Sequence, residues 1–350
     1  MKAAVYLGGG RVAVESVRTP EIGSGEILIR VESCGICHTD LKKIAHDLLP
    51  PPRIYGHETA GIVAAVGERV TKYAPGDRVI AFHHIPCGEC FYCDRRLYAQ
   101  CAVYKNVGIT AGYEPAGGGF SQYVRAMDWI VERGVEIIPD GVSFDKACWV
   151  EPVNTCLKAV QLLELQRGDI VAILGQGPIG LIFTMLVTRT GATVMATDTI
   201  QFRRSISERL GASAFDPREQ EFGHAIKTLT DARGADAVIV ATCAPNIVEQ
   251  ALSTSRPGAR ILLFAQTSDT ERIEFSGADI CVGERVLLGS YSADVDLQAE
   301  SARLVFSGEL ALEQLISDRI SLEEIERGIA IAQHPSEQSL KVVVHPQEQN

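Results

Sequence analysis

Four closely spaced cysteines give the strongest chemical signal in the sequence: Cys87, Cys90, Cys93 and Cys101. This C-x2-C-x2-C-x7-C spacing allows four thiolates to surround one ion tetrahedrally, the usual geometry of a structural zinc site. Thiolates can also hold an iron–sulfur cluster, but the last gap differs from the bacterial pattern and no proline follows Cys101. We therefore expect a structural zinc ion, with coincidental reduced cysteines on a loop as the alternative.

A second group of possible metal ligands is spread along the first part of the chain. Cys37 follows a strand-like segment, and His57 and Glu58 follow a run of prolines at 50–52. A cysteine, a histidine and a carboxylate can hold a catalytic zinc ion and leave a position open for water or substrate. Cys34 and Cys37 could instead form a redox dithiol, but no thioredoxin-like βαβ pattern surrounds them. We expect residues 34–40 and 56–58 to lie in loops just beside strands.

A glycine-rich segment, GQGPIG from Gly175 to Gly180, follows an apolar run at 170–174 and opens an apolar helical stretch. In this context the first glycine permits a tight turn, the second lets a pyrophosphate approach the backbone, and the third allows close helix–sheet packing. The helix N-terminus attracts the anion. The sequence therefore predicts a dinucleotide site, and a doubly wound domain that binds a flavin or no nucleotide is the alternative.

The choice between the two nicotinamide cofactors depends on Asp198, at the end of the next predicted strand. A carboxylate there can accept hydrogen bonds from both ribose hydroxyls, which favours NAD over NADP. Arg203 and Arg204 could meet a 2′-phosphate, although Asp198 would repel it. The residues expected to contact the cofactor are Gly175, Gly177, Pro178, Ile179, Gly180, Asp198 and Arg203.

The elements that must position these residues form a β-rich part and a part in which strands and helices alternate. Short apolar runs with turn signals predict strands at 3–7, 27–31, 60–66 and 78–82. From position 169, predicted strands at 170–174, 193–197, 235–241, 261–265 and 286–290 alternate with helical stretches, which indicates a parallel sheet covered on both faces. Helices near 297–306 and 322–332 and a strand at 340–344 follow.

Composition excludes several classes of protein. The 350 residues include 33 Lys or Arg and 44 Asp or Glu, and the net charge of −11 disfavours nucleic acid and anionic membrane surfaces as partners. The hydrophobic fraction of 46% and charged fraction of 22% are those of an ordinary folded protein. Ten cysteines without a recognisable secretory leader indicate metal or redox chemistry in a reducing compartment, so we expect a cytoplasmic protein.

Several motifs in order resemble the zinc-containing medium-chain alcohol dehydrogenases, particularly their polyol (sorbitol) and threonine dehydrogenase branch. The motifs are CGICHTD from Cys34, GHETAG from Gly56, PGDRV from Pro75, the four-cysteine segment, EP at Glu151 and GQGPIG from Gly175. The resemblance covers nearly the whole chain. It implies an α/β fold with a β-rich GroES-like catalytic domain, residues 1–154 and 291–350 with a structural zinc lobe at 87–101, and a doubly wound, parallel-sheet Rossmann domain for NAD, residues 155–290.

The resemblance also implies a set of catalytic zinc ligands. Cys37 and His57 match ligand positions, whereas Cys34 does not, and Glu58 matches a carboxylate that can ligate or approach the metal. The third protein ligand is a cysteine in simple alcohol dehydrogenases and a glutamate in the polyol branch, and the register through 155–159 places Glu151 there. Cys148 and Cys156 lie nearby in sequence and remain rivals, and binding of Glu151 directly or through water stays open.

Further roles follow from the resemblance alone. Thr39 would relay the alcohol proton toward solvent, Asp40 would support the metal site, His38 would contact the cofactor pyrophosphate, and Thr155 would lie beside the nicotinamide. Without the motif, Thr39 and Asp40 would be interpreted as loop-capping and turn residues. The family often has a histidine at the position of Lys42, where it ends the proton relay, so we assign no terminal base. His46 lies four residues further on.

Together these observations predict a dehydrogenase with one catalytic and one structural zinc ion per chain that transfers a hydride from a secondary alcohol to NAD. The substrate would be a small polyol, sugar or cyclitol, and the product a ketone. A threonine or simple alcohol dehydrogenase is the alternative within the family, and a nucleotide-binding protein that has lost the chemistry is the alternative outside it. Residues 44–55, His83, His84 and 116–120 could shape the pocket, and we expect a homodimer or homotetramer.

Overall fold

The computed structural model describes residues 1–82, 85–106, 117–219, 221–265 and 272–348, with only the backbone described at 105 and 106. His83, His84 and Ala116, which we expected near the pocket, lie outside the described residues. The chain divides into two compact units, one formed by Met1–Asn154 and Ala293–Asn350 and the other by Thr155–Ser292. The sequence-based division places its second boundary two residues earlier, between 290 and 291.

The first unit is built on two β-sheets. Its strands, numbered along the whole chain, are β1 (Lys2–Gly8), β2 (Arg11–Ser16), β3 (Ile27–Gly35), β4 (Arg53–Ile54), β5 (Glu58–Val66), β6 (Arg78–Ala81), β7 (Tyr123–Ala126), β8 (Val135–Ile137), β15 (Ile316–Ser321) and β16 (Lys341–His345). One sheet has the order β2-β1-β4, and the other has the order β15-β16-β3-β5-β6-β8, with β7 also paired to β3. Pairs are antiparallel except β15 with β16.

Strand β3 is the centre of the larger sheet and leads directly to the first metal-ligand motif. Ile27, Ile29 and Val31 are fully buried and alternate with partly exposed residues, the period of two expected where one face of a strand is packed against a core. At its end, Gly35 pairs with Glu58 of β5 and with Val343 of β16. Three strands therefore meet where the candidate ligands begin.

The helices of the first unit are short and join the strands. They are α1 (His38–Ala45), α2 (Ala102–Asn106), α3 (Asp128–Arg133), α4 (Phe144–Ala147), the start of α5 (Val150–Gln161), α11 (Gln298–Phe306) and α12 (Ile325–Gln333). The expectation that residues 34–40 and 56–58 lie in loops is wrong at three places, since Cys34 lies in β3, residues 38–40 begin α1 and Glu58 begins β5. Cys37 is the N-cap of α1, and the Asp40 carboxylate accepts a hydrogen bond from the Cys37 backbone N–H at 3.2 Å, a reciprocal cap that starts a helix.

The second unit is a doubly wound α/β domain, as predicted. Its strands are β9 (Ile170–Leu174), β10 (Thr193–Thr197), β11 (Ser213–Phe215), β12 (Ala235–Val240), β13 (Ser255–Leu263) and β14 (Val286–Gly289), and its helices are α6 (Pro178–Arg189), α7 (Gln201–Arg209), α8 (Glu221–Leu229), α9 (Ile247–Thr254) and α10 (Gly277–Cys281). The strands pair in parallel in the order β11-β10-β9-β12-β13-β14. The winding direction reverses at β9, where such folds bind nucleotides.

Hydrophobic burial explains why these segments form strands. Val171, Ala172, Ile173 and Leu174 of β9 are completely buried, the nearly continuous apolar pattern of a parallel strand covered on both faces. Within the part of the chain that the structure describes, none of the helices has the length and apolar character needed to cross a membrane.

Candidate metal and cofactor sites

The four cysteines of the first motif come together as a closed metal site. The sulfur–sulfur distances are 3.5 Å for Cys90–Cys93, 3.6 Å for Cys87–Cys101 and 3.9 Å for Cys87–Cys93, and all four sulfurs lie within 4.8 Å of one another. Zinc–sulfur bonds of about 2.3 Å give a regular tetrahedron with edges of about 3.8 Å. The four residues therefore fit one structural zinc ion without rearrangement.

Backbone turns and a small apolar cluster hold this lobe in shape. Arg96 has a left-handed φ of 56°, and its N–H donates to the Cys93 carbonyl at 2.9 Å, which turns the chain back toward Cys101. Among the described residues, the cysteines form a small apolar cluster with Tyr98, Ala99 and Tyr104. Because this cluster buries little apolar surface, a bound ion would supply much of the folding free energy of the lobe.

The second motif forms a separate group with different chemistry. One ligand atom each from Cys37, His57 and Glu58 lie within 4.8 Å of one another, and His57 and Glu58 are buried. Cys37 begins α1, His57 immediately precedes β5, and Glu58 is the first residue of β5. Cys34 is outside this group. It is completely buried, and burial raises the pKa of its thiol well above the usual value.

Asp40 fixes the orientation of His57. Its Oδ1 lies 3.2 Å from His57 Nδ1 and accepts a hydrogen bond from the Gly56 backbone N–H at 3.4 Å, while its Oδ2 accepts one from the Cys37 backbone N–H at 3.2 Å. Burial favours a neutral Asp40, but the neighbouring His57 more than offsets this and keeps the pKa of Asp40 below its usual value. Since Nδ1 is engaged, Nε2 is the nitrogen left to bind a metal, the arrangement expected behind a zinc-ligating histidine.

Glu151 and His57 face the same small cavity, together with Thr59, Phe82 and Cys148. Glu151 is not within 4.8 Å of all members of the Cys37, His57 and Glu58 group. Its pKa is raised to about 7, first because of burial, while His57 lowers it and Glu58 raises it. Both rival cysteines lie outside the group as well, and Cys148 donates to the Asp145 carbonyl at 3.1 Å.

The structure adds a residue that the sequence analysis missed. The Lys341 ammonium forms an ion pair with Glu58 Oε2, and both side chains are buried, with exposed fractions of 7% and 2%. Burial lowers the pKa of Lys341, but Glu58 reverses this and raises it above the usual value. The only local signal was a lysine directly before the apolar run at 342–344. Nothing in the sequence connected it to a residue 283 positions earlier.

The other residues to which the resemblance gives roles, His38, Thr39 and Asp40, lie with Lys42 in the first two turns of α1. His38 is exposed, and Thr39 and Lys42 are partly exposed, whereas Asp40 is completely buried. His46 is the exposed C-cap of the helix. The hydrogen bonds of Asp40 to the Cys37 and Gly56 backbones and its contact with His57 give it a defined place beside the candidate ligands.

In the second unit, the three glycines of the GQGPIG turn have different surroundings, which explain why glycine occupies each position. Gly175 has φ +99°, and a Cβ there would lie 2.7 Å from Thr242. A Cβ on Gly180 would lie 2.0 Å from the Gly175 carbonyl oxygen, so the close packing of α6 on the turn requires glycine. Gly177, the N-cap of α6, has open space around it, and Pro178 and Ile179 begin the helix. This opening at a helix N-terminus fits a pyrophosphate.

Asp198 follows β10 and is oriented before any ligand binds. Its two carboxylate oxygens accept hydrogen bonds from the backbone N–H groups of Gln176 and Ile200, both at 2.8 Å. Arg203 Nη1 lies 3.9 Å from Asp198 Oδ2, whereas Arg204 bonds the Asp198 carbonyl and Asp216. A fixed carboxylate beside the glycine turn fits a ribose diol. Thr155 is a buried residue of α5 in the same unit.

Comparisons with known proteins agree with this architecture. Residues 23–135 match the alcohol dehydrogenase GroES-like domain, and residues 178–306 match the zinc-binding dehydrogenase family. The sorbitol dehydrogenase of Bacillus subtilis is 30% identical over 353 residues, which cover 99% of this chain and 97% of the relative. The L-threonine 3-dehydrogenase of Symbiobacterium thermophilum is 28% identical over 97% of this chain and 95% of the relative.

A solved structure shows the same fold at a similar level of identity. The zinc-binding dehydrogenase from Sinorhizobium meliloti 1021, bound to NADP, has a TM-score of 0.89 and 30% identity, with 99% of each chain covered. The two family matches fall one in each half of the chain, and the alignment with the sorbitol dehydrogenase covers nearly all of it. The chain therefore belongs to the zinc-binding medium-chain alcohol dehydrogenase family and is an oxidoreductase.

Proposed function

We propose that this enzyme oxidises a secondary alcohol on a polyol, sugar or cyclitol to a ketone, with NAD as hydride acceptor. The observation that carries the proposal is the group of Cys37, His57 and Glu58, whose member His57 shares a cavity with Glu151. Glu151 takes the position at which the polyol branch has a glutamate ligand, and the B. subtilis sorbitol dehydrogenase supports that branch. The L-threonine 3-dehydrogenase relative supports threonine as the second candidate substrate.

Cys37, His57 and Glu151 would hold the catalytic zinc ion, with Glu58 beside them. Bound there, zinc would polarise an alcohol oxygen and lower the pKa of its proton. The residues of the chain orient and shield this reaction. Asp40 holds the His57 ring by Nδ1, and the apolar side chains of Ile80, Phe82 and Val150 limit access of water to the cavity.

NAD would bind at the GQGPIG turn with its ribose on Asp198, and it supplies the electron-pair acceptor. The fixed carboxylate supports NAD, because the 2′-phosphate of NADP would meet a negative charge held in place by Gln176 and Ile200. The S. meliloti structure is bound to NADP, so NADP is the second candidate cofactor. Arg203, whose Nη1 lies 3.9 Å from Asp198 Oδ2, is the cation that would receive the phosphate.

Thr39 would pass the alcohol proton from the cavity toward solvent along α1. The partly exposed Lys42, one turn later, occupies the position at which the family often has a histidine. We also propose a cytoplasmic location, which the metal-ligand spacing of Cys87, Cys90, Cys93 and Cys101 supports, since cysteines with such spacing are typical of proteins in reducing compartments.

The test is NAD and NADP reduction by the zinc-loaded protein across polyols, aldoses, cyclitols, threonine and simple alcohols, repeated after chelation. We expect turnover with a polyhydroxylated compound that chelation abolishes. Turnover confined to threonine would replace the substrate class, and failure to turn over any alcohol with zinc and NAD bound would contradict the proposal. Glu151→Ala should lose activity by about 10- to 100-fold or more while retaining NAD affinity. Full activity would shift the ligand role to Cys156 or Glu58.

A further inference from the structure

The ion pair between Lys341 and Glu58 places a buried cation directly behind the candidate catalytic metal site. Glu58 belongs to the group of ligand atoms that lie within 4.8 Å of one another, and its Oε2 is engaged by Lys341. Lys341 Nζ also lies 5.4 Å from the ring centroid of Trp149, which is completely buried. The ammonium is therefore enclosed by a carboxylate and an aromatic face instead of by water.

The backbone is shaped to allow this contact. Glu58 is paired with Gly35 across the β3–β5 ladder, and β16, which begins at Lys341, runs along the other edge of β3. A Cβ on Gly35 would lie 1.9 Å from Glu58 Oε2 and 2.6 Å from Lys341 Cε. Only glycine at this position leaves room for the two side chains to meet over β3.

Charge balance gives the pair a consequence for the metal. The Cys37 thiolate and the carboxylates of Glu58 and Glu151 together carry more negative charge than one divalent ion can neutralise. A zinc ion accepts four or five ligands, so a carboxylate as close as Glu58 competes for the position that substrate needs. A cation that binds Glu58 from behind removes the excess charge and restrains that carboxylate.

We propose that Lys341 is a positioning residue that holds Glu58 off the catalytic zinc ion and so keeps one coordination position available to the alcohol. The inference rests on the proposed function, which identifies this site as the catalytic zinc site. It concerns the number of ligands on the metal, so it can be tested without measuring turnover. In this view Glu58 tunes the charge of the site from outside the set of direct ligands.

The test uses full-length protein reconstituted with Co²⁺, whose d–d absorption reports coordination number. The four-cysteine lobe also binds Co²⁺, so the spectrum of the Cys37→Ser variant, in which the catalytic site lacks a ligand, is subtracted as the contribution of the lobe. Lys341→Met should lose d–d intensity, because the released Glu58 becomes an additional ligand, and should change zinc affinity at this site by about 10- to 100-fold. Lys341→Arg should retain the wild-type spectrum. Lys72→Met is the matched control, since Lys72 also lies over an aromatic ring, Tyr73 at 5.1 Å, but is exposed.

Two further variants make the result decisive. In Glu58→Gln the spectrum should equal that of the wild type, because Glu58 is not a ligand there, and this holds even if Lys341→Met does not fold. In the double variant Lys341→Met/Glu58→Gln the spectrum should return to that of the wild type. A changed spectrum in Glu58→Gln, an unchanged spectrum in Lys341→Met, or a change that persists in the double variant would overturn the proposal. None of these outcomes depends on enzymatic activity. Failure of this proposal can therefore be distinguished from failure of the proposed function in the substrate panel.

Discussion

Asp40 has more influence on the metal site than its position outside the ligand set suggests. It joins the start of α1 to the loop before β5 by accepting hydrogen bonds from the Cys37 and Gly56 backbones and contacting His57 Nδ1. One completely buried carboxylate therefore positions two candidate ligands that are 20 residues apart in sequence. Residues of this kind are almost as important for metal affinity as the ligands themselves.

We expect Asp40→Ala to weaken zinc binding at the catalytic site by about 10- to 100-fold, because His57 loses the group that fixes its tautomer and ring orientation. Asp40→Asn should be milder, since its amide oxygen can still accept the Nδ1 proton. Competition with a chromophoric chelator measures both constants. Asp77→Ala is the control, because the partly exposed Asp77 carboxylate accepts a hydrogen bond from the Ala74 backbone N–H of a turn, at 2.8 Å. Equal zinc affinity in Asp40→Ala and wild type would contradict this role.

Asp198→Ala should reduce the preference for NAD over NADP. The variant loses an ionised acceptor for the ribose hydroxyls, an interaction worth about 1.5–3 kcal/mol or roughly 10- to 100-fold in binding. The ratio of kcat/KM for the two cofactors is the measurement. Asp236→Ala removes a carboxylate that accepts a hydrogen bond from the backbone N–H of Ile170, at the opposite end of the sheet, and should leave the ratio unchanged. An unaltered ratio in Asp198→Ala would exclude ribose recognition by this residue.

At the level of elements, the sequence predicted those strands whose apolar pattern is continuous or strictly alternating. Strands β3 and β9 have such patterns, and so does the apolar helix α6. Strand β15 was missed because only Ile316 and Ile320 of its six residues are strongly apolar, and long-range pairing with β16 stabilises the strand. Helix α1 was missed because its first turn is polar and depends on the Asp40 cap, a contact that no periodicity reveals.

The contrast between local sequence patterns and long-range contacts also determines which residues of the candidate site could be predicted from the sequence. Cys37, His57, Glu58 and the glycine turn belong to local motifs with recognisable spacing. Lys341 enters the site because β16 pairs with β3, so its role depends on sheet topology. The contact of Asp40 with His57 likewise depends on how the fold places α1 beside the start of β5. Spacing therefore identifies ligands, whereas the residues that orient them require the fold.

The four-cysteine lobe should bind its own zinc ion independently of the catalytic site. We expect the purified protein to contain about two zinc ions per chain and Cys90→Ser to contain about one, because three thiolates do not close the tetrahedron. The lobe of the variant should also become more sensitive to proteolysis, since metal binding is coupled to its folding. Elemental analysis provides the count, with Cys281→Ser, an exposed cysteine outside both groups, as the control. A wild-type value of one would remove one of the two sites.

Strand β16 is anchored at both ends, by Lys341 at its start and by His345 at its end. His345 Nε2 lies 2.7 Å from Asp145 Oδ1, next to hydrogen bonds from Ser33 and Arg319 to the same carboxylate, and its Nδ1 lies 3.0 Å from Glu348. The hydrogen bond to Asp145 raises the pKa of His345, while burial lowers it. Burial raises the pKa of Asp145, but its partners lower it below its usual range.

These shifts give a pH dependence of stability with a defined sign. The raised pKa of His345 contributes stability that is complete below its unfolded value of about 6.5 and is lost as pH rises through the folded value. The lowered pKa of Asp145 contributes above its unfolded value of about 3.9 and is lost at lower pH. His345→Gln should therefore reduce the free energy of unfolding most near pH 5–6, by about 1–3 kcal/mol, and less at pH 9.

Urea unfolding of wild type and His345→Gln at these two pH values measures the difference. His334→Gln replaces an exposed histidine that forms no side-chain ion pair within the described residues, and it should have little effect at either pH. A destabilisation of His345→Gln that is equal at both pH values would mean that packing, and not charge, links β16 to α4. The test concerns the anchor of the strand that also carries Lys341.

At the scale of the whole molecule, the exposed edge of the parallel sheet requires an explanation. Among the residues that the structure describes, strand β14 pairs with β13 and with no other strand, and the segment around it exposes large apolar side chains: Ile273, Phe275, Val282, Val286 and Tyr291. Val282 has an exposed fraction of 83%. An unprotected edge strand beside apolar side chains is a template for pairing with another chain. A second copy of the same strand offers equivalent donors and acceptors, so a closed twofold dimer is expected.

We therefore predict that the protein is a homodimer, or a tetramer built from such dimers, that associates through β14. Val286→Lys places a charge on a residue of the edge strand with an exposed fraction of 40%, a substitution that opposes edge pairing while leaving the buried side of the sheet intact. Sedimentation equilibrium should show dissociation of the variant at concentrations where wild type stays associated. Leu229→Lys, an equally apolar and exposed position at the end of α8 in the same unit, should not change the mass. A monomeric wild type, or a Val286→Lys variant that associates as wild type does, would show that this edge is not the interface.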